Sequence, residues 1–160
     1  MLSTPQIHLH HTIIRRFSFS DLNRILEIER HSFPKSPYDR ATFANLHWLY
    51  PETFLVFVER ESRQEEETIL GYIVFSWDGH LISMAVDPAH RRQGIAQRLL
   101  ERVFAFPRIK RVLAEVRKSN KGAQAFYSKM GFRVVGVITN YYGNEDALVV
   151  EWTPTARPVT

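Results

Sequence analysis

The 160-residue sequence has no cysteine, so no disulfide, thiolate metal site or thiol nucleophile is available to it. That absence fits a reducing compartment. No apolar run approaches 18 residues, and the opening MLSTPQIHLHH lacks a signal peptide's apolar core. A membrane partner is therefore not expected, and the cytoplasm is the expected location. A strong charge of one sign is also missing: 21 basic against 17 acidic side chains leave a net charge of +4, which an ordinary solvated surface accounts for. With no stacking-aromatic or helix-turn-helix pattern, direct nucleic-acid binding is not expected. P-loop and Rossmann glycine signatures do not occur. No metal is expected, because His8, His10 and His11 are the nearest thing to a ligand cluster and lie in a segment read as loose.

What is present is a globular composition, 44% hydrophobic and 24% charged, at a length that suits one domain over residues 1–160. Residues 1–10 and 154–160 read as loose tails. A first strand is expected at 11–17. Two helices follow, one after Ser20 or Asp21 with Leu22, Ile25, Leu26, Glu29 and Phe33 at helical spacing, the other at 39–50. Strands at 53–60, 68–77 and 80–87 are separated by the charged turn ESRQEEE and by Asp78-Gly79. An amphipathic helix at 94–106, a strand at 111–117, a helix at 120–130 and strands at 132–139 and 146–152 complete the order β-α-α-β-β-β-α-β-α-β-β. This is an α+β class, a sheet of about seven strands with about four helices packed on it.

The segment VDPAHRRQGIAQRLL, residues 86–100, has the physical form of an anion site. A strand stops at Pro88, a basic loop follows, and a helix opens at Gly94. Backbone N–H groups near Gln93, Gly94, Ile95 and Ala96 have no partner within the helix and sit at its positive end. Gly94 admits close approach, Ala96 does not block it, and Arg91 and Arg92 add charge. Further on, Asn120, Ala123 and Tyr127 are spaced to share one helix face.

RRQGIA resembles the [Q/R]-x-x-G-x-[G/A] motif of GNAT acetyltransferases, with Arg91, Gly94 and Ala96 at its fixed positions. HLISMAV (80–86) is similar to the family's fourth strand, and SNKGAQAFYSKMGF (119–132) to its Asn–Ala–Tyr–Gly-Phe segment. The resemblance implies a GNAT domain whose fourth and fifth strands splay apart around acetyl-CoA. It implies pyrophosphate on the helix at Gly94, pantetheine along the backbone of Met84, Ala85 and Val86 and against Asn120 and Ala123, and the Tyr127 hydroxyl near the thioester sulfur. A phenol there can donate a proton to a departing thiolate.

The acceptor amine must lose a proton before it attacks. Glu115 is a lone carboxylate in the apolar strand RVLAEVR, and His80 begins the preceding strand. Glu115 could instead pair with Arg117 or Lys118. Glu115 resembles the base of RimI-like ribosomal-protein-alanine acetyltransferases, and His80 a second base position of archaeal N-terminal acetyltransferases. NYYGNEDAL (140–148) resembles the closing hairpin of these enzymes, which implies Tyr141 and Tyr142 as one wall of a peptide slot. SFPKSPY (32–38) then supplies the other through Phe33, Pro34 and Tyr38, with Lys35-Ser36-Pro37 making it longer than RimI-like sequences have it. The implied acceptor is the α-amine of a protein or peptide N-terminus, ribosomal or nascent. An α-amine is roughly a tenth neutral at pH 7, against about one part in 2,500 for lysine, so light base assistance is enough. A small amine or a lysine side chain as acceptor, and a non-catalytic CoA-binding module, are the alternatives.

Overall fold

The computed structural model of the chain describes residues 10–61 and 66–154. Strand β1 (His10–Arg16) leads through a 3-10 turn at 19–21 into α1 (Leu22–Ser32) and α2 (Arg40–Leu49). Strands β2 (Phe54–Glu61), β3 (Glu67–Phe75) and β4 (Leu81–Val86) follow. Then come a 3-10 turn at 88–90, α3 (Ile95–Phe104), β5 (Val112–Arg117), α4 (Lys121–Lys129), β6 (Arg133–Ile138) and β7 (Ala147–Trp152). The expected order of elements holds, with boundaries shifted by one to two residues and neither 3-10 turn foreseen. His10, read as part of a loose tail, is the first residue of β1; residues 1–9 and 155–160 of the expected tails, and most of the charged turn, lie outside the described residues.

The strands form two antiparallel sheets, β1-β2-β3-β4 and β5-β7-β6, where the sequence suggested one mixed sheet. Side chains of β2 and β3 alternate between two cores. Val56, Val58, Tyr72 and Val74 face α1 and α2 with Ile25, Ile28 and Phe43. Phe57, Ile73 and Phe75 face α3 with Leu99, Leu100 and Val103. Each fully buried aliphatic or Phe side chain contributes about 1.5–3 kcal/mol of transfer free energy. The first four strands are thereby a rigid plate clamped on both faces.

Among the described residues one backbone bridge joins the two sheets. His80 forms a parallel bridge with Leu113, and the Leu113 N–H donates to the Gly79 carbonyl at 3.0 Å. Gly79 makes this junction possible: its φ is +95°, and a Cβ there would stand 1.9 Å from the Arg111 carbonyl oxygen. Beyond the junction β4 is paired only with β3 among the described residues, so its other edge opens onto a gap between the two sheets.

Candidate active site

The loop after β4 is built for an anion. Asp87 caps the 3-10 turn by accepting from the Ala89 N–H at 3.1 Å. Arg92 (φ +63°) and Gly94 (φ +79°) then both take left-handed conformations. Alternating backbone of this kind turns successive N–H groups to one side. The first intrahelical donor of α3 is the Arg98 N–H, bonded to the Gly94 carbonyl at 3.0 Å, so the amides of Ile95, Ala96 and Gln97 are free of helix bonds. Gly94 is needed for its φ, and a Cβ there would meet no protein atom within 4 Å; the space in front is open. Gln93 and Arg92 are exposed beside it, while Arg91 turns back to Ser32 Oγ at 3.2 Å and ties the loop to α1. The donor set is therefore amides and a basic loop, which suits a pyrophosphate.

Along the gap, Met84 is half-buried between the buried Ser83 and Ala85. On the far side, α4 begins with Asn120, whose Oδ1 accepts from the Ala123 N–H at 3.0 Å. Asn120, expected against the pantetheine, uses that oxygen as a helix cap. Ala123 packs at the edge of the α3 core, and Tyr127 is buried at 8% exposure, with its ring against Phe126 and Phe132. Phe126 beside it is the more exposed of the two. Burial, then Tyr142 and Glu115, pushes the Tyr127 phenol well above the usual range, and no described residue accepts or donates at its hydroxyl.

The junction carries the titratable pair. His80 Nε2 lies 2.8 Å and 3.0 Å from the two oxygens of Glu115, so neither Arg117 nor Lys118 is its partner. Glu115 is 20% exposed and His80 44%. A nitrogen between two carboxylate oxygens must carry the proton, which leaves Nδ1 as the free lone pair of a neutral ring. The Glu115 charge reaches four phenols. Burial first, and this charge among further causes, raises Tyr38, Tyr127, Tyr141 and Tyr142, the last to about 12. One cluster thus gathers residues from positions 38 to 142.

Its walls are fixed locally. Between α1 and α2, the Phe33 N–H bonds the Glu29 carbonyl at 2.8 Å, and Asp39 caps α2 through the Thr42 N–H at 2.8 Å. Glu29, which sequence reading placed only in the buried stripe of α1, is 2% exposed and accepts from the Tyr38 N–H at 3.0 Å. Its other oxygen accepts from the Tyr72 hydroxyl, itself 2.9 Å from Ser83 Oγ on β4. Burial foremost raises the Glu29 carboxyl. The signal for it was a carboxylate where every neighbour in the stripe is apolar. Opposite, Tyr141 and Tyr142 meet edge to face at 4.9 Å in the turn between β6 and β7. Phe33 instead packs against the α1–α2 core and Pro34 is exposed, and no described contact ties either to the tyrosines.

Among the described residues no group of three His, Asp or Glu stands ready for a metal, and no helix is long and apolar enough to cross a membrane. The family model for the acetyltransferase (GNAT) family matches residues 22–132. An uncharacterized N-acetyltransferase of Methanocaldococcus jannaschii is 36% identical over 91% of this chain and 94% of its own length. The [ribosomal protein bS18]-alanine N-acetyltransferase of Escherichia coli is 31% identical over 82% of this chain and 90% of its own. The crystal structure of Ard1 from Thermoplasma volcanium superposes with a TM-score of 0.78 at 27% identity, covering 91% of this chain and 99% of that one. With an amide cradle at Gly94, a half-open strand edge and a family match running through both, the chain belongs to the GNAT family and is an N-acetyltransferase.

Proposed function

We propose that this enzyme acetylates the α-amino group of a polypeptide N-terminus, a nascent or ribosomal protein in the cytoplasm being the acceptor this reading implies. The observation that carries it is the His80–Glu115 pair at the junction of β4 and β5, ringed by Tyr38, Tyr141 and Tyr142. The bS18 relative, by its name, acetylates an alanine of ribosomal protein bS18.

Acetyl-CoA fits the gap and would be held by the amides of Gly94, Ile95 and Ala96, by Arg92, and by the open backbone edge of Met84 to Val86. It supplies an activated thioester carbonyl. N–H groups on that strand edge are fixed donors for the oxygen on which charge develops. Glu115 holds the His80 ring by its Nε2–H, and Nδ1 takes the proton from the acceptor ammonium, directly or through one water. The carboxylate then stabilises the imidazolium, which makes His80 the base and Glu115 its orienting partner. Tyr127 works as a hydrogen-bond donor to the leaving sulfur. Its raised phenol lies far above a thiol near ~8.5, so a full proton transfer to the thiolate runs uphill, and the thiol proton comes from solvent. As the N–C bond forms and the C–S bond breaks, the nitrogen's second proton passes to solvent, and the products are the N-acetylated chain end and free CoA.

The test is CoA release with short peptides differing at their first residue, each paired with an Nα-blocked, lysine-containing counterpart. Turnover confined to free α-amines is expected. Turnover of the blocked peptides, or of small amines alone, overturns the reading.

A further inference from the structure

Arg117 ends β5 two residues after Glu115, so both side chains leave the same face of the strand. Glu115 reaches to His80; Arg117 reaches over the tyrosines. Its Nη1 donates to Glu145 Oε1 at 2.9 Å, its Nη2 donates to Ser36 Oγ at 2.9 Å, and its Cζ lies 4.0 Å from the centre of the Tyr142 ring. Ser36 belongs to the segment between α1 and α2, and Tyr142 and Glu145 to the turn between β6 and β7. These are the two walls of the acceptor slot, far apart in sequence. Glu145 is anchored in turn by the Ser119 N–H and hydroxyl, at 3.1 and 3.0 Å. Arg117 is only 16% exposed and Glu145 18%, so the bonds are partly shielded from water.

We propose that Arg117 is a clasp that fixes the spacing of the two walls, and so positions the acceptor peptide over the His80–Glu115 pair. The inference rests on the peptide-acceptor reading. A guanidinium suits the task because it offers two edges and a flat face at once, one for a carboxylate, one for a hydroxyl and one for a ring. Lysine keeps the charge but is a point donor and cannot hold all three. Ser36 contributes the weaker arm, a single bond accepted by an exposed hydroxyl.

Arg117→Lys and Arg117→Met are compared with wild type for peptide KM, acetyl-CoA affinity and backbone hydrogen exchange at 33–39 and 139–146. The expected result is a peptide KM raised about tenfold in both variants, acetyl-CoA affinity unchanged, and faster exchange in both segments together. Ser36→Ala, which removes one arm at an exposed position, is expected to loosen 33–39 alone, with a smaller KM effect. An unchanged peptide KM, restoration by lysine, or an equal loss of acetyl-CoA affinity overturns the clasp. Should wild type turn over no peptide, the acceptor reading fails by itself, and exchange decides the clasp: unaltered exchange, or a rise in only one segment of the Arg117 variants, overturns it.

Discussion

The two sides of the site are made of different material. The donor side is mostly backbone, contiguous from residue 84 to 97, and rests on the plate of β1 to β4 that is packed on both faces. The acceptor side is mostly side chains, drawn from residues 29–38, His80, 115–117 and 140–145, and leans on the smaller sheet, whose edge strand β6 leaves Val134, Val135 and Val137 about half exposed. The difference teaches a division of labour. A cofactor-shaped ligand is met by amides that the fold itself orients, while acceptor choice is left to phenols, one dyad and a guanidinium on connecting segments, where substitutions leave the plate undisturbed.

If the sides are separable, damage to one must spare the other. The largest effect is expected from Glu115→Gln, which removes the charge that holds His80: kcat falls about 100-fold or more while acetyl-CoA affinity stays. Steady-state kinetics beside calorimetric titration with acetyl-CoA reads both; a parallel loss of affinity would merge the two sides. Tyr127→Phe removes a donor to a developing thiolate and is expected to lower kcat by about 10- to 100-fold, again with donor affinity kept. Unchanged turnover would take Tyr127 out of the mechanism. Gly94→Ala attacks the donor side alone. Forcing a Cβ into φ +79° costs about 1–2 kcal/mol and reaches the amides of α3, so acetyl-CoA affinity is expected to drop about 5- to 30-fold with kcat at saturation little altered. A fall in kcat at saturating donor, with affinity kept, would contradict the cradle.

The sequence made the donor side legible because its signals are local. A glycine at a helix start, a proline after a strand and a basic loop lie within a dozen residues. The acceptor side was legible only as parts. Glu115 and His80 were each legible as a base, but their direct contact crosses a junction that depends on Gly79 fitting against Arg111, not on chain neighbours such as Arg117 and Lys118. Arg117 leaves the same face and finds Glu145 and Ser36, neither foreshadowed by spacing. Asn120 was read from its motif as a ligand group, and its oxygen has a second use, as the cap of α4, that the motif did not announce. Glu29 was hidden by its helical period, which made it look like one more buried position.

Glu29 gives the smallest expected effect and a pH signature. It is a buried carboxylate whose described partners are two neutral donors, Tyr38 N–H and the Tyr72 hydroxyl, and burial raises its folded pKa above the unfolded value. Its protonated form therefore favours folding. That contribution is fully present below the unfolded pKa and is lost as pH rises through the folded one. Glu29→Gln keeps an acceptor for Tyr38 and carries no charge, so it is expected to be as stable as wild type or more so at neutral pH, by about 1–2 kcal/mol. The difference shrinks as pH falls towards the ordinary carboxylate range. Thermal melts of both proteins across that range check it; a wild-type advantage that grows with pH would contradict the assignment.

The central claim is that the tyrosine-walled slot delivers a chain end to the His80–Glu115 pair. It is tested most directly with one peptide carrying both a free α-amine and an internal lysine, incubated with enzyme and acetyl-CoA and sequenced by tandem mass spectrometry. The account predicts a single acetyl group on the α-nitrogen; an acetyl group on the lysine with the chain end left free would contradict it.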